Sequence, residues 1–295
     1  MGHEDISARG GWTRRQAIKG IVAGAAACAL PRVAFAAKPK RIPIGIQLYS
    51  VRGDAKKDFD AAMERVAKMG YEGFEFAGYF RYGGKARELK RRLDDLGVKA
   101  AGTHIGTGSL RGDNLKRTIE FHKQIGCKFL IVPGDGAFTD PERSKQLAET
   151  FNKAAEILKP HGMHCGYHNH TKEFKKYQGK TYWEWFAERT SKDVVLQQDV
   201  GWTTHARQDP VLYIKKYPGR TKTTHFKPTA LGGGKKPIIG QDSVDWENII
   251  LACYYYGGTE WFIVEQERYL PGKSPMECSE MSLAGLKSIL KRLGA

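Results

Sequence analysis

The chain is predicted to be an α/β protein closing as one (β/α)8 TIM barrel over residues 42–293, and three observations predict it. Eight short apolar runs alternate with amphipathic segments. They occupy about 250 residues, the usual length of such a barrel. The first run leads into QLYSVRGD, which lacks the glycine-rich phosphate turn of a doubly wound open sheet.

The N-terminus stands outside this alternation. Thr13–Gly20 (TRRQAIKG) sets paired arginines before the apolar run IVAGAAACAL, and Ala34 and Ala36 follow in AFA. Basic, apolar and small residues in that order predict a twin-arginine export signal over residues 1–36, cleaved near Ala36, with 37–41 as a linker. Ala17 stands where such signals usually carry phenylalanine. The apolar run is shorter than the ~20 residues of a membrane span, so no stable membrane span is expected. The expected location is periplasmic or otherwise exported, with the twin-arginine export machinery as a partner.

The strand candidates follow in order: IPIGIQL (42–48), GFEFA (73–77), VKAAGTHI (98–105), KFLIVP (128–133), MHCGYH (163–168), VVLQQD (194–199), TKTTHFK (221–227) and WFIVEQ (261–266). Between them lie helical segments. FDAAMERVAKMG puts Phe59, Met63, Val66 and Met69 at helical spacing and stops on Gly70. Segments beginning at Ala86, Asn114 and Arg143 also close on glycine, and VDWENIILACYYYGG and SLAGLKSILKRLG complete the set. No low-complexity linker divides the chain.

Composition narrows the function. Lysine plus arginine number 48 against 32 acidic residues, a net charge of +16. The basic residues are scattered over exposed helix faces, without the stripe and interleaved aromatics of a nucleic-acid site, so no nucleic-acid partner is expected. The charge instead favours an anionic partner such as a uronate. Cys28 falls in the leader. Cys127, Cys165, Cys253 and Cys278 are far apart and form no CxxC pair, which argues against a zinc knuckle or a disulfide framework.

In a barrel of this kind, chemistry sits at the C-terminal ends of the strands. Those ends carry Gln47 and Tyr49, Glu75, His104, Pro133 and Asp135, His168 and His170, Asp199, His225 and Lys227, and Glu265 with Glu267. Glu173, Asp199, His225 and Glu265 come from strands five to eight, neighbours that converge on one point. Three carboxylates with one imidazole suit one divalent ion, with Mn²⁺ favoured over Mg²⁺, Co²⁺ or Zn²⁺. Such an ion would grip two vicinal oxygens of a substrate.

At these residues the chain resembles the xylose-isomerase-like sugar isomerase and epimerase family. The likeness runs through IGIQLYSVR, GYEGFEFAGYF, GTHIG, YHNHTKEF, QQDVGW, HFKP and FIVEQE. It implies Glu173, Asp199, His225 and Glu265 as metal ligands. It also implies Glu173 and Glu265 as the acid and base on the two faces of the sugar. Glu173 lies five residues past His168, beyond the strand end where tagatose-epimerase-type relatives place their glutamate. His168 or His170 is the alternative ligand from that strand. A homodimer is a further implication of the resemblance alone.

The remaining candidates each carry two readings. His168 and His170 share a strand face; His168 would orient a carboxylate from behind and His170 would touch substrate. His104 is a substrate contact or a satisfied inner-barrel group. Glu75 points to the mouth or is a buried partner of Arg or Lys. Lys227 stabilises an oxyanion or lies on the rim, with Glu267 beside it as a substrate contact. Trp202, with Trp183, Trp185, Tyr79, Phe80 and Tyr82, forms a stacking wall for a sugar or covers the open barrel end. LGGGKKP (231–237) reads as a lid, and His122, His161, His164 and His205 as surface or loop residues.

The expected activity is a divalent-metal-dependent sugar isomerase or epimerase. It would remove a proton next to a carbonyl and pass through an enediolate held at the metal. The alternative is a 3-keto-glycoside lyase or hydrolase using the same chemistry. A third reading is a non-catalytic sugar-binding barrel.

Overall fold

The computed structural model describes residues 41–294. The expected export signal, its cleavage point and Cys28 lie outside the described residues. All eight expected runs supply strands, each trimmed at its ends: β1 Ile44–Gln47, β2 Gly73–Phe76, β3 Lys99–His104, β4 Phe129–Val132, β5 His164–His168, β6 Val195–Asp199, β7 Thr223–Phe226 and β8 Trp261–Val264. Each pairs in parallel with its sequence neighbour, and β1 pairs with β8 to close the barrel. The register shifts once, between Phe74 and Glu75 where β2 meets β3.

Several helices begin where a side chain satisfies a free N–H group of the first turn. The Asp58 carboxylate accepts from Ala61 N at the start of Phe59–Lys68, which buries Phe59, Ala62, Met63 and Val66. Ser274 and Glu277 form a reciprocal capping box at the start of Pro275–Leu293, with Pro275 at the first position. Sequence periodicity missed four short helices, Arg52–Lys57, Tyr182–Arg189, Val200–His205 and Pro210–Lys216. It also missed a two-residue hairpin pairing Lys176–Tyr177 with Lys180–Thr181. Among the described residues no helix is long and apolar enough to cross a membrane.

The barrel interior is filled in layers. Phe129, Ile131 and Val195 pack together with Trp261 against them, an apolar plug in the lower half. Two small residues make room for it. A Cβ on Gly73 would lie 2.7 Å from the Trp261 ring, and one on Gly166 would lie 2.5 Å from the Val195 carbonyl. Two larger apolar layers fill the space between strands and helices. Above the plug the inward positions turn polar.

Several side chains take other places than expected. His122 is buried, not a surface residue; its Nδ1–H donates to the Thr118 carbonyl at 2.6 Å and its Nε2 accepts from the Tyr79 hydroxyl at 2.8 Å. Burial favours the uncharged ring and lowers its pKa to about 4. His164 opens β5 and stacks on Phe129 with ring centroids 5.6 Å apart. Trp183 is buried against Phe138 and Phe174, and Tyr82 is buried with its hydroxyl on Asp60. Trp185 lies under Lys180 and Arg189. Of the supposed stacking wall, these three side chains are committed elsewhere. The four cysteines in the barrel are free and buried.

Candidate metal centre

Alternation along each strand aims every second side chain inward. At the C-terminal ends this brings Glu75, His104, His168, Asp199, His225 and Glu265 together, each but His104 almost wholly buried. One donor atom from each of His168, Asp199, His225 and Glu265 lies within 4.8 Å of the others. His225 Nδ1 sits 3.0 Å from Glu265 Oε2 and 3.9 Å from Asp199 Oδ2, and His168 Nε2 lies 3.7 Å from that same Asp199 oxygen.

A second tier of hydrogen bonds fixes these groups. Gln197 is its hub: its amide nitrogen donates to Glu75 Oε1 at 2.7 Å and Thr223 Oγ1 at 2.8 Å. Its amide oxygen receives His104 Nε2 at 3.1 Å and His168 Nδ1 at 3.0 Å. Because that oxygen only accepts, His168 carries its proton on Nδ1 and turns the lone pair of Nε2 toward Asp199. Gln47 donates to Glu75 Oε2 at 2.9 Å, and Glu75 also meets His225 Nε2 at 2.5 Å. Asn169 accepts from Asp199 N and donates to Asp199 O, tying the ends of β5 and β6.

The charges follow from this packing. Burial alone would raise the Glu75 carboxyl, yet His225 and His104 beside it hold it well below the carboxylate range. Burial favours neutral His225, but Glu75 and Glu265 on its two nitrogens raise it to about 10. His168 is driven well below the usual histidine value by burial and by the neighbouring His225 and His104 rings. Burial would also raise Glu265, but Lys227 and His225 keep it well below its ordinary value and therefore ionised. Asp199 is pushed up to about 8, mainly by burial.

Asp199 Oδ2 is buried and has no hydrogen-bond partner. Its other oxygen accepts from Trp202 N at 2.7 Å as the cap of Val200–His205. An unpartnered buried carboxylate oxygen is costly. Here it faces two imidazoles and a second carboxylate, a donor set suited to a divalent cation. The residues present fit such an ion.

Glu173, expected as a ligand, does not join this group. It is buried on the loop after β5, where Oε2 accepts from His170 N at 2.9 Å and Oε1 receives the Tyr167 hydroxyl at 3.4 Å. Sequence distance alone did not show that the loop turns its carboxylate back onto its own backbone. His168 stands with Asp199, His225 and Glu265 in its place. Glu75 likewise pairs with histidines and amides instead of Arg or Lys.

Lys227, Glu267, His170 and Trp202, expected as substrate contacts, lie together near the cluster. Lys227 is nearly buried, 3.6 Å from Glu265 Oε2, paired with Glu267, and 4.5 Å from the centre of the Trp202 ring. His170 is partly buried beside Trp202, with ring centroids 5.6 Å apart. Asn169 and Gln197 were missed beside the cluster, and Gln47 was named at its strand end without a role. Their signal was polarity at an inward strand position or immediately after a strand, as at Gln197 two before Asp199.

Comparison with known proteins shows the family and the fold. Over 272 residues the chain is 24% identical to an inosose dehydratase of Bacillus thuringiensis (strain Al Hakam), covering 76% of this chain and 87% of that protein. A sugar phosphate isomerase/epimerase from Parabacteroides distasonis superposes with a TM-score of 0.70 at 26% identity, over 83% of this chain and 97% of that one. The IOLI protein, solved with a binding zinc atom, superposes with a TM-score of 0.63 at 12% identity, over 85% of this chain and 99% of its own, a likeness of fold. A profile of one family matches residues 63–287: the chain belongs to the xylose isomerase-like TIM barrel family.

Proposed function

We propose that the barrel mouth binds a divalent cation and a sugar, and that it isomerises or epimerises the sugar by moving a proton on the carbon next to a carbonyl. The observation that carries this reading is Asp199 Oδ2, orphaned and buried among three other metal-competent donors. His168, Asp199, His225 and Glu265 would hold the ion. When bound, it supplies Lewis acidity, polarising the sugar carbonyl and acidifying the adjacent C–H. Two nitrogen and two oxygen donors are less oxygen-rich than the three-carboxylate set read from the sequence. Manganese therefore loses its clear preference, and zinc or cobalt fit as well.

The protein side chains do the rest. The Glu265 carboxylate, kept ionised by Lys227 and His225, takes the proton. As the acid so formed, it returns the proton to the neighbouring carbon for an isomer, while an epimer takes its returning proton from water on the opposite face. The Lys227 ammonium offers a fixed positive charge to an oxygen that gains negative charge in the transition state. Glu75 holds His225 through Nε2, and Gln197 holds His168 through Nδ1, so a divalent ion would be held by the other nitrogen of each ring. His170, Trp202 and Glu267 contact the sugar, with His104 on the inner side. Glu173 acts through His170, whose backbone it anchors.

The epimerase and isomerase reading draws support from the Parabacteroides distasonis structure. The inosose dehydratase relatives favour a second reading, in which the same proton abstraction expels a group from the next carbon, as a lyase or hydrolase. Incubation with candidate ketoses in deuterated water tests the shared step. Wild type should exchange the hydrogen next to the carbonyl, and Glu265→Gln should lose this by about 10²-fold or more. Undiminished exchange in that variant contradicts the proton-transfer assignment.

A further inference from the structure

A cleft of about 690 Å³ opens beside the cluster, between the segments that follow β2 and β3 and the helix Gly112–Ile125. His104 belongs to both, lining the cleft while its Nε2 lies 3.1 Å from Glu75 Oε2. His104 thus forms the wall shared by the cleft and the proposed sugar site. Its volume falls in the range of about 300–1,000 Å³ that pockets for drug-sized ligands occupy, well beyond the need of one sugar ring.

Its walls are apolar where they are not already satisfied. Tyr79 and Phe121 meet edge to face with centroids 4.7 Å apart, and Ile105 adds an aliphatic side. Gly106 and Gly108 leave open space, with nothing within 4 Å of a Cβ built on either. Most of the inner polar groups facing the cleft already have partners, while the Ser109 hydroxyl and the outer Arg117 N–H groups stay open at its rim. The Tyr79 hydroxyl is held by His122, His104 Nε2 by Glu75 and Gln197, and Arg117 by Asn114 at 2.5 Å. Against the Tyr79–Phe121 wall a second sugar ring would lose water without a hydrogen-bond partner on that side. A flat aromatic ring would extend the Tyr79–Phe121 pair and lie near the Arg117 guanidinium.

We propose that the sugar substrate carries an aromatic substituent, and that this cleft between His104 and Arg117 binds it. The proposal rests on the sugar reading of the neighbouring cluster. Phe121 and Tyr79 then set specificity for the substituent, while the cluster handles the sugar.

The test is calorimetric titration of the Mn²⁺-supplemented protein with methyl and p-nitrophenyl glycosides of glucose, galactose and xylose, and with cellobiose. At least one p-nitrophenyl glycoside should bind tenfold or more tightly than its methyl counterpart. Gly106→Phe should erase that advantage and leave methyl glycoside binding unchanged. The backbone there is extended, at φ −79° and ψ 153°, so a side chain is tolerated and enters the open space. Phe121→Ala should weaken the aryl advantage without filling the cleft. Equal affinities in wild type, an aryl advantage that survives Gly106→Phe, or a larger gain for cellobiose would overturn the proposal and leave the sugar site standing. No binding by any glycoside would overturn this proposal, while the sugar reading stands or falls separately on hydrogen exchange into ketoses.

Discussion

Gln197 shows how one uncharged residue sets the character of the whole centre. Its amide must point its nitrogen at the Glu75 carboxylate, and this leaves its oxygen for two imidazole N–H groups. Replacing it with leucine would leave Glu75, His104 and His168 short of partners at once. Gln197→Leu should weaken Mn²⁺ or Zn²⁺ binding by about 10–100-fold, measured by chelator competition. His122 carries a separate prediction. Its folded pKa of about 4 lies below the unfolded value near 6.5, so its contribution is complete above pH 6.5 and is lost as pH falls toward 4. That contribution amounts to about 3 kcal/mol. The difference in urea midpoint between wild type and His122→Gln should therefore shrink as pH is lowered from 7 to 4.

At the level of elements, the strands were legible because each is a short apolar run ended by a polar residue, and the long helices because their buried faces repeat with helical period. The short helix Tyr182–Arg189 was hidden by its aromatic content, which read as a sugar-stacking wall. Its start was nonetheless written in Thr181 and Glu184, a capping box. Gly73 marks a constraint that periodicity does not reveal. Gly73→Val should destabilise the barrel by about 1–3 kcal/mol, seen as a lower thermal midpoint, because the branched side chain collides with Trp261 in the plug. The loop after β5 is the element where sequence and structure part. Glu173→Ala should keep its metal while binding sugar more weakly, since the carboxylate anchors His170 and lies outside the donor cluster. Loss of metal in that variant would restore Glu173 to the ligands.

For the whole molecule, closure of the sheet turns seven separated strand ends into one site. Asp199, His225 and Glu265 could be read from the sequence because strand alternation and the barrel's neighbour order specify where they point. The supporting amides, and the turn of the Glu173 carboxylate onto its own loop beside His168, depend on loop direction and on side-chain hydrogen bonding, which spacing does not carry. Fold and functional centre are joined by one economy of placement: small residues admit the apolar plug below, and the plug supports a dry floor for the charged groups above. The most direct test of this account is the metal content of the purified protein after incubation with Mn²⁺ or Zn²⁺ and gel filtration, compared with Asp199→Asn. Asparagine preserves the cap on Trp202 N, so folding, followed by circular dichroism, should be unchanged. The account predicts a stoichiometric divalent ion in wild type and its loss in the variant. A metal-free wild type, or full occupancy in Asp199→Asn, would contradict it.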